Sequence, residues 1–279
     1  MIWGLKRVIK YALGTDIAGR SLAVYPDDAF IVSYPRSGNT WTRFLVANLV
    51  HPEQQITFAN IERLIPDCEA MSSRYIRRVP RPRIIKSHQC FDPRYKRVVY
   101  MARDPRDVVV SQYHFQRKRN LIADQFPLSE FVGRFLAGQT CFYGSWGENV
   151  ASWLATQLGQ PGFLLLRYED MLDNTARELS KVDSFLGLTT SPHLIMQAVE
   201  RSCVDTMRQL EKLQAQLFTS TKDTRQDIPF VRTAKAGGWR SELPEECAQQ
   251  IEEAWGDLMQ RLGYEMLSTD AAGRHEDCA

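Results

Sequence analysis

Residues 29–41 read AFIVSYPRSGNTW, and this stretch decides the fold prediction. Its first six residues, 29–34, form an apolar run that ends at a turn signal, which indicates a short buried strand. After the turn, the side chains from Trp41 to Leu49 recur at spacings of three and four, which is the pattern of a helix. A strand, a tight turn and a helix in direct succession are typical of an α/β sheet.

Three further short apolar runs predict strands at residues 83–86, 97–101 and 162–167. Helical patterns separate them. Short strands that alternate with helices predict a parallel sheet with helices on both faces. We therefore expect an α/β fold, with residues 1–279 forming a single domain.

The composition is that of a globular protein, with 44% hydrophobic and 24% charged residues. A formal net charge of +2 is too small to indicate nucleic acid, and we expect no such partner. Six cysteines without any Cys-x-x-Cys pair fit neither a zinc site nor a disulfide framework, so we expect reduced thiols and a cytoplasmic protein. No apolar run approaches the roughly 18 to 20 residues that span a bilayer.

Three segments are expected to lie outside the compact core. Residues 1–25 are predicted to be an N-terminal helical extension, in which apolar residues recur at helical spacing with basic residues between them. This helix either packs on the domain or contacts a membrane surface. Residues 268–279 are predicted to be a disordered tail, and residues 214–227, which are mostly polar, a mobile segment.

The turn that follows the first strand predicts an anion site. Such a turn aims backbone N–H groups and the positive end of the helix dipole at one point. Gly38 permits close approach of a ligand. The polar side chains of this turn are those of Arg36, Ser37, Asn39 and Thr40. The Gly-x-x-x-x-Gly-Lys-Ser/Thr string of nucleotide kinases is absent, which disfavours a kinase.

A second anion site is predicted after the strand at residues 97–101. Arg103 stands at the strand end, and Asp104 and Pro105 are a favourable cap and first residue for the next helix. Ser111 follows about two helical turns after Arg103, so both side chains can face the same sheet edge. Two phosphate sites in one chain predict a ligand with two separated phosphates.

Five segments together resemble the cytosolic-type sulfotransferase family, which uses 3′-phosphoadenosine 5′-phosphosulfate (PAPS) and releases 3′-phosphoadenosine 5′-phosphate (PAP). The resemblance covers roughly residues 30–264, and it implies the P-loop-like sulfotransferase fold. The five segments are residues 34–41, Lys86-Ser87-His88, residues 98–115, residues 143–153 and residues 165–171.

The resemblance implies a role for each segment. Residues 34–41, including Trp41, resemble the 5′-phosphosulfate loop, and Arg103 with Ser111 resembles the 3′-phosphate site. Tyr168 and Met207 correspond to the adenine side, and residues 143–153 to the acceptor side.

A sixth segment near the C-terminus resembles the family's Arg-Lys-Gly loop, with departures. Arg232 can grip the 3′-phosphate, but Thr233 and Ala234 stand where Lys and Gly are usual, with Lys235 next to them. Val204 replaces an aromatic residue, and Arg36 replaces the more common lysine of the first loop.

The expected reaction is in-line transfer of the sulfuryl group to an acceptor hydroxyl. His88 is the expected base, because its ordinary pKa of about 6.5 lies near working pH. Arg36 and Lys86 are expected to offset charge at the transferring group, so no metal is expected. Glu148 and Glu169 are alternative bases.

Two other functions remain open at this stage: a P-loop kinase or other nucleotide phosphotransferase, and a non-catalytic nucleotide-binding protein. The acceptor is expected to be a hydroxylated small molecule, a glycan or a glycopeptide. Five arginines between Arg74 and Arg83 precede the strand that carries His88, which favours an anionic or extended acceptor as much as a solvated surface.

Overall fold

A computed structural model describes residues 17–267 of the chain. Four parallel strands form one sheet in the order β2-β1-β3-β4. The strands are β1 (Ala29–Ser33), β2 (Ile84–Ser87), β3 (Val98–Ala102) and β4 (Phe163–Arg167). The four predicted strands are confirmed to within one residue at each end, and so is the α/β fold.

Helices connect the strands and cover the sheet. They are α1 (Asn39–Val50), α2 (Ile61–Leu64), α3 (Ser73–Ile76), α4 (Pro105–Lys118), α5 (Leu128–Leu136), α6 (Trp146–Gln157), α7 (Tyr168–Asp173), α8 (Thr175–Leu186), α9 (Pro192–Arg201), α10 (Val204–Gln214) and α11 (Glu245–Arg261). Short 3₁₀ turns lie at Gly19–Ser21, Ala215–Leu217 and Gly238–Ser241.

The two central strands separate two apolar cores. Successive side chains of a strand point to opposite faces. Phe30 and Val32 of β1 therefore join one core with Trp153, while Ile31 joins the other with Phe44. Every residue of β1 and β3 is buried, which explains why these strands read as unbroken apolar runs.

The strand order creates a crevice at the carboxyl edge of the sheet. The chain goes from β1 to β2 on one side, and from β3 to β4 on the other. The loops that follow β1 and β3 therefore diverge from neighbouring strands, which is where open α/β sheets bind ligands. Both predicted phosphate loops begin at this point.

The segment at residues 214–227 has more to bury than the sequence analysis expected. Phe218 is 1% exposed, and its ring lies 4.9 Å from that of Phe58 and 5.8 Å from that of Phe230. Thr221 is also buried. One aromatic residue thus anchors this mostly polar segment in the core, and its mobility stays a prediction.

The predicted segments at the two chain ends lie largely outside the described residues. Residues 1–16 of the expected helical extension and the tail at 268–279 lie there. Between residues 17 and 267, no helix has the length and apolar character needed to cross a bilayer.

Candidate active site

The loop after β1 turns into α1 through a left-handed glycine. Gly38 has a φ of 100°, and a Cβ built on it would lie 2.7 Å from Cδ2 of Tyr168, so only glycine fits. The first amides of a helix have no partner within the helix and are available to an anion. Within residues 17–267, the buried Ser37 Oγ has no hydrogen-bond partner.

The loop after β3 forms the adjacent wall. The Arg103 guanidinium donates to the carbonyl oxygens of Arg36 and Lys235, at 3.2 Å each. Its Cζ lies 4.2 Å from the centre of the Tyr168 ring. Ser111 of α4 accepts a hydrogen bond from Nε of Arg36 at 3.1 Å. The two residues predicted for the 3′-phosphate therefore lie close to the first loop.

A cavity of about 380 Å³ lies between these loops at the carboxyl edge of the sheet. It brings together all but one of the sequence-predicted site residues, although they come from segments spread over most of the chain. Those lining it are Arg36, Gly38, Asn39, Thr40, Trp41, Lys86, His88, Arg103, Ser111, Tyr168, Met207, Arg232, Thr233 and Ala234. The exception is Ser37, which is fully buried.

Arg36 is fixed on the Ser111 side of the cavity. Besides its bond to Ser111, it donates from Nη2 to the carbonyl oxygen of Phe230 at 3.1 Å. Its guanidinium lies over the rings of Phe115 and Phe230, at 4.6 and 4.7 Å from their centres, and the two centres are 5.8 Å apart. We expected this side chain to offset charge at the transferring group. In this structure its donors face Ser111 and Phe230, and its role at the transferring group stays a prediction.

The loop at residues 232–239 covers the same side. Arg232 pairs with Glu242 at 3.1 Å. Ala234 has a φ of 51°, a left-handed conformation that favours glycine, the residue usual here in the resembled family. Lys235 is exposed, so the cationic neighbour of Thr233 faces away from the buried part of the site.

Asp107 holds that loop against α4. Its carboxylate accepts the backbone N–H groups of Gly237 at 2.8 Å and Trp239 at 2.9 Å. Burial raises the pKa of Asp107, while Arg103 and the two amides act in the opposite direction. One side chain of α4 thus fixes the position of a loop about 130 residues further along the chain.

Aromatic residues form the apolar half of the cavity. Nε1 of Trp41 donates to the carbonyl oxygen of Ser202 at 3.0 Å, and its ring meets that of Tyr168 edge-on at 5.8 Å. Met207 and Val204 complete this wall. The combination of a fixed indole, a phenol ring and a thioether suits a flat heteroaromatic base.

His88 lies at the end of β2 with its imidazole oriented by hydrogen bonds. Nδ1 lies 2.7 Å from the carbonyl oxygen of Ser33, and Asn149 donates to the carbonyl oxygen of His88 at 3.0 Å. A carbonyl oxygen only accepts, so Nδ1 carries the proton and Nε2 of the neutral ring keeps a lone pair. Burial first, and then the charge of Lys86, lower the pKa of His88 to about 3.

Two carboxylates that the sequence analysis did not identify surround Lys86. Its ammonium donates to Asp67 and Glu69 at 2.9 Å each. Burial lowers the pKa of Lys86 and the two carboxylates raise it, with a net upward direction. Glu69 also accepts from Ser87 Oγ and from the backbone N–H of His88, both at 2.8 Å. No spacing in the sequence marked them, because Asp67 pairs beside Lys86 in an isolated bridge and residues 68–70 form a turn.

Comparisons with known proteins agree with this geometry. A family model described as "sulfotransferase domain" matches residues 26–263. The chain belongs to this sulfotransferase family. Sulfotransferase 1B1 of Canis lupus familiaris is 28% identical over 77% of this chain and 78% of its own length. Sulfotransferase 1E1 of Rattus norvegicus is 29% identical over 82% of each chain.

Solved structures share the fold of this sulfotransferase. Retinol dehydratase in complex with retinol and PAP superimposes with a TM-score of 0.71 at 23% identity, covering 90% of this chain and 86% of that one. The mouse sulfotransferase SULT7A1, complexed with PAP, gives 0.70 at 22% identity, covering 87% of each chain. At these identities the likeness confirms the predicted sulfotransferase fold.

The expected acceptor segment of the sulfotransferase is only partly at the site. The ring of Tyr143 lies 5.4 Å from that of His88, so this residue flanks the candidate base. Trp146 is fully buried and donates from Nε1 to the carbonyl oxygen of Arg103. Trp146 thus lies in the core, the default expectation for a tryptophan, and an acceptor role for the rest of residues 143–153 stays a prediction.

The two alternative bases have structural roles. Glu148 accepts from the backbone N–H of Ser145 at 2.8 Å and completes the capping box of α6. Glu169 accepts from the backbone N–H of Asp104 at 3.1 Å. Both carboxylates thus satisfy backbone groups at element ends, which leaves His88 as the candidate base.

The arginine run between Arg74 and Arg83 does not lead into the site. Arg83 is fully buried and pairs with Asp28, and Arg81 pairs with Asp27. Arg83 precedes β2 whereas His88 follows it, so they lie at opposite edges of the sheet, roughly 16 Å apart along the strand. The premise of the anionic-acceptor hypothesis is therefore wrong for these two arginines, because β2 carries the chain away from them before it reaches the site.

The absence of a metal requirement stays a prediction. Across residues 17–267, no group of three or more His, Cys, Asp or Glu side chains is arranged to hold a metal ion. The five described cysteines, Cys68, Cys90, Cys141, Cys203 and Cys247, are free thiols.

Proposed function

We propose that this sulfotransferase moves the sulfuryl group of PAPS onto a hydroxyl of an acceptor, giving PAP and a sulfate ester. The observation that carries the proposal is the neutral, oriented imidazole of His88 in the same cavity as two phosphate-binding loops. A binding protein without catalytic activity has no need of such a base, and a kinase needs the lysine-containing loop that is absent here.

The residues present fit PAPS. The turn at Gly38 and the first amides of α1 suit the 5′-phosphosulfate. Asn39 and Thr40 belong to the same turn. Arg103, Ser111 and Arg232, with Thr233 and Ala234, suit the 3′-phosphate. Trp41, Tyr168 and Met207 suit the adenine.

His88 and Lys86 have distinct roles in the proposed reaction. His88 Nε2 accepts the proton of the acceptor hydroxyl as that oxygen bonds to sulfur and the bond from sulfur to the phosphate oxygen breaks. Lys86 has three N–H donors, two of which are bonded to Asp67 and Glu69. We assign the third to the transferring group, where it stabilises the negative charge that builds up on the leaving oxygen.

The first experiment identifies the cofactor and an acceptor. PAP is expected to raise the melting temperature of the protein far more than ATP does. A screen with radiolabelled PAPS should cover hydroxylated small molecules, glycans and glycopeptides. Small molecules are tested first, because the structure of retinol dehydratase is a complex with retinol and PAP. Stabilisation by ATP equal to that by PAP, without sulfated product, would favour a nucleotide phosphotransferase.

The second experiment tests the base. His88→Ala is expected to lower kcat at least 100-fold, because positioned bases contribute about 10²- to 10⁴-fold. PAP affinity, measured by calorimetry, should stay nearly unchanged. The control His193→Ala alters an exposed histidine of α9. If His88→Ala keeps more than about a tenth of kcat, the base lies elsewhere.

A further inference from the structure

Arg36 occupies a loop whose expected task is the 5′-phosphosulfate, yet its side chain reaches the other phosphate site. Nε lies 3.1 Å from Oγ of Ser111, and Nη2 lies 3.1 Å from the carbonyl oxygen of Phe230. Phe230 immediately precedes Val231 and Arg232, so both contacts lie on the wall assigned to the 3′-phosphate. The side chain of Arg36 therefore links the loop after β1 to residues 230–239, the C-terminal loop.

Two aromatic rings hold the guanidinium in that position. Phe115 comes from α4 and Phe230 from the C-terminal loop, and they lie on the guanidinium at 4.6 and 4.7 Å. The two rings meet edge-on, so the guanidinium lies over both without stacking flat on both, while its donors reach Ser111 and Phe230. The compact ammonium of lysine has no such planar fork of donors. The contact thus depends on arginine, the residue by which this loop departs from the more common lysine.

Two other arginines, Arg103 and Arg232, lie near Arg36 in the same cavity. Arg103 donates to the backbone carbonyl oxygen of Arg36, and Arg232 lines the same cavity. Burial first, and then repulsion from Arg103 and Arg232, lower the pKa of Arg36 to about 9. Three guanidinium groups converge at one end of a buried cavity, an arrangement that a doubly charged anion would stabilise.

The C-terminal loop has lost a charge that this arrangement restores. Thr233 and Ala234 line the cavity without charge, and the side chain of Lys235 is exposed. Arg36, which lies over Phe230 of the same loop, supplies a cation where Thr233 cannot.

We propose that Arg36 is a ligand of the 3′-phosphate and thereby determines the preference of this enzyme for 3′-phosphorylated nucleotides. On binding, its Nε and Nη2 donors turn from Ser111 and Phe230 to the phosphate oxygens, while the two rings keep the guanidinium in place. This inference rests on the proposed use of PAPS and adds the residue that distinguishes PAP from nucleotides lacking the 3′-phosphate.

The test compares the affinities for PAP and for adenosine 5′-phosphate by calorimetry. For Arg36→Gln we expect the ratio of the two affinities to fall more than tenfold, equivalent to about 1.4 kcal/mol, with little change in the affinity for adenosine 5′-phosphate. Arg36→Lys should lose part of the ratio, and Ser111→Ala should lower it as well. Thr40→Ala, in the 5′ loop, should weaken both nucleotides alike and keep the ratio. Arg63→Ala, an exposed arginine at the opposite sheet edge, controls for charge.

An unchanged ratio in Arg36→Gln, with both affinities lowered equally or neither altered, overturns the inference. A wild-type protein that binds both nucleotides equally contradicts the proposed cofactor instead, which is a separate failure. If Arg36→Gln does not fold, a crystal structure of the wild-type protein with PAP replaces it. A guanidinium hydrogen-bonded to the 3′-phosphate then supports the inference, and one bonded to the 5′-phosphate overturns it.

Discussion

Glu69 is the residue on which the base-carrying segment converges. One carboxylate accepts from the Lys86 ammonium, the Ser87 hydroxyl and the His88 amide, which belong to three consecutive residues. These bonds fix the end of β2 and the backbone of the base. A buried donor that loses its acceptor costs about 1 to 3 kcal/mol, so the carboxylate matters for stability as well as geometry.

We therefore predict that Glu69→Ala lowers the free energy of unfolding by about 2 kcal/mol or more, since Ser87 and His88 both lose their acceptor. Glu69→Gln should recover most of this loss, because its amide oxygen can still accept both bonds. Urea denaturation measures the difference, with Glu253→Ala, an exposed glutamate of α11, as the control. Equal losses in the alanine and glutamine variants would contradict the assignment.

The same residue marks what the sequence could not predict. His88 and Lys86 were identified because they are adjacent in a segment that resembles a known family. Glu69 lies 17 residues from Lys86, in a region where the sequence analysis assigned no role. Its contacts depend on a short chain segment that runs beside β2, and no periodicity in the sequence reveals that placement.

At the scale of elements, a loop far along the chain depends on one helix. Asp107 of α4 binds the amides of Gly237 and Trp239, and the loop that it fixes carries Arg232 into the cavity. The helix begins with a capping Asp104, whose side chain accepts from the N–H of Arg106. The capping Asp104, the anchoring Asp107 and the proposed phosphate ligand Ser111 thus lie on one continuous stretch after β3.

We predict that Asp107→Ala weakens PAP binding about tenfold or more, because the loop loses two hydrogen bonds and samples other positions. Affinity for adenosine 5′-phosphate should change less, since the loop serves the 3′ side. Calorimetry with both nucleotides tests this, and Asp173→Ala, an exposed carboxylate of α7, is the control. An unchanged PAP affinity would show that the loop holds its position without Asp107.

The strands and the first helix were predictable because their apolar patterns are strong and local. The short helices α2 and α3 were not, since four residues do not establish a period. The apolar contacts of the segment at 214–227 were missed for a related reason. Its composition is polar, and the single ring of Phe218 that anchors it is visible only when Phe58 and Phe230 are brought beside it.

For the molecule as a whole, the neutral His88 links stability to pH. Its pKa is about 3 when folded, against an ordinary 6.5 when unfolded. Between these values the unfolded chain binds the proton and the folded protein does not, so the free energy of unfolding falls as the pH is lowered. The stability that the neutral His88 contributes is therefore fully present above about pH 6.5.

We predict that the free energy of unfolding of the wild type, minus that of His88→Asn, decreases as the pH falls from 7 to 4. Below pH 6.5 this difference should change by up to about 1.4 kcal/mol per pH unit. Denaturant unfolding of both cofactor-free proteins across this range measures it, and shared groups cancel in the difference. A difference that does not vary with pH would show that the folded protein protonates His88 normally.

The order of the strands was not predictable from the sequence, because an apolar run does not indicate which other strands it pairs with. Placing β1 between β2 and β3 brings both phosphate loops and the base to one edge. It also moves Arg83 to the opposite edge from His88, which the linear sequence does not reveal.

The bond between Arg36 and Phe230 joins residues 194 positions apart. At a synthesis rate of about 5 to 20 residues per second, roughly 10 to 40 s separate their emergence from the ribosome. The growing chain thus carries its first phosphate loop long before the second half of the pocket exists. During synthesis the strands of the sheet, which all lie before residue 168, are therefore available to pair before the C-terminal wall of the cavity exists.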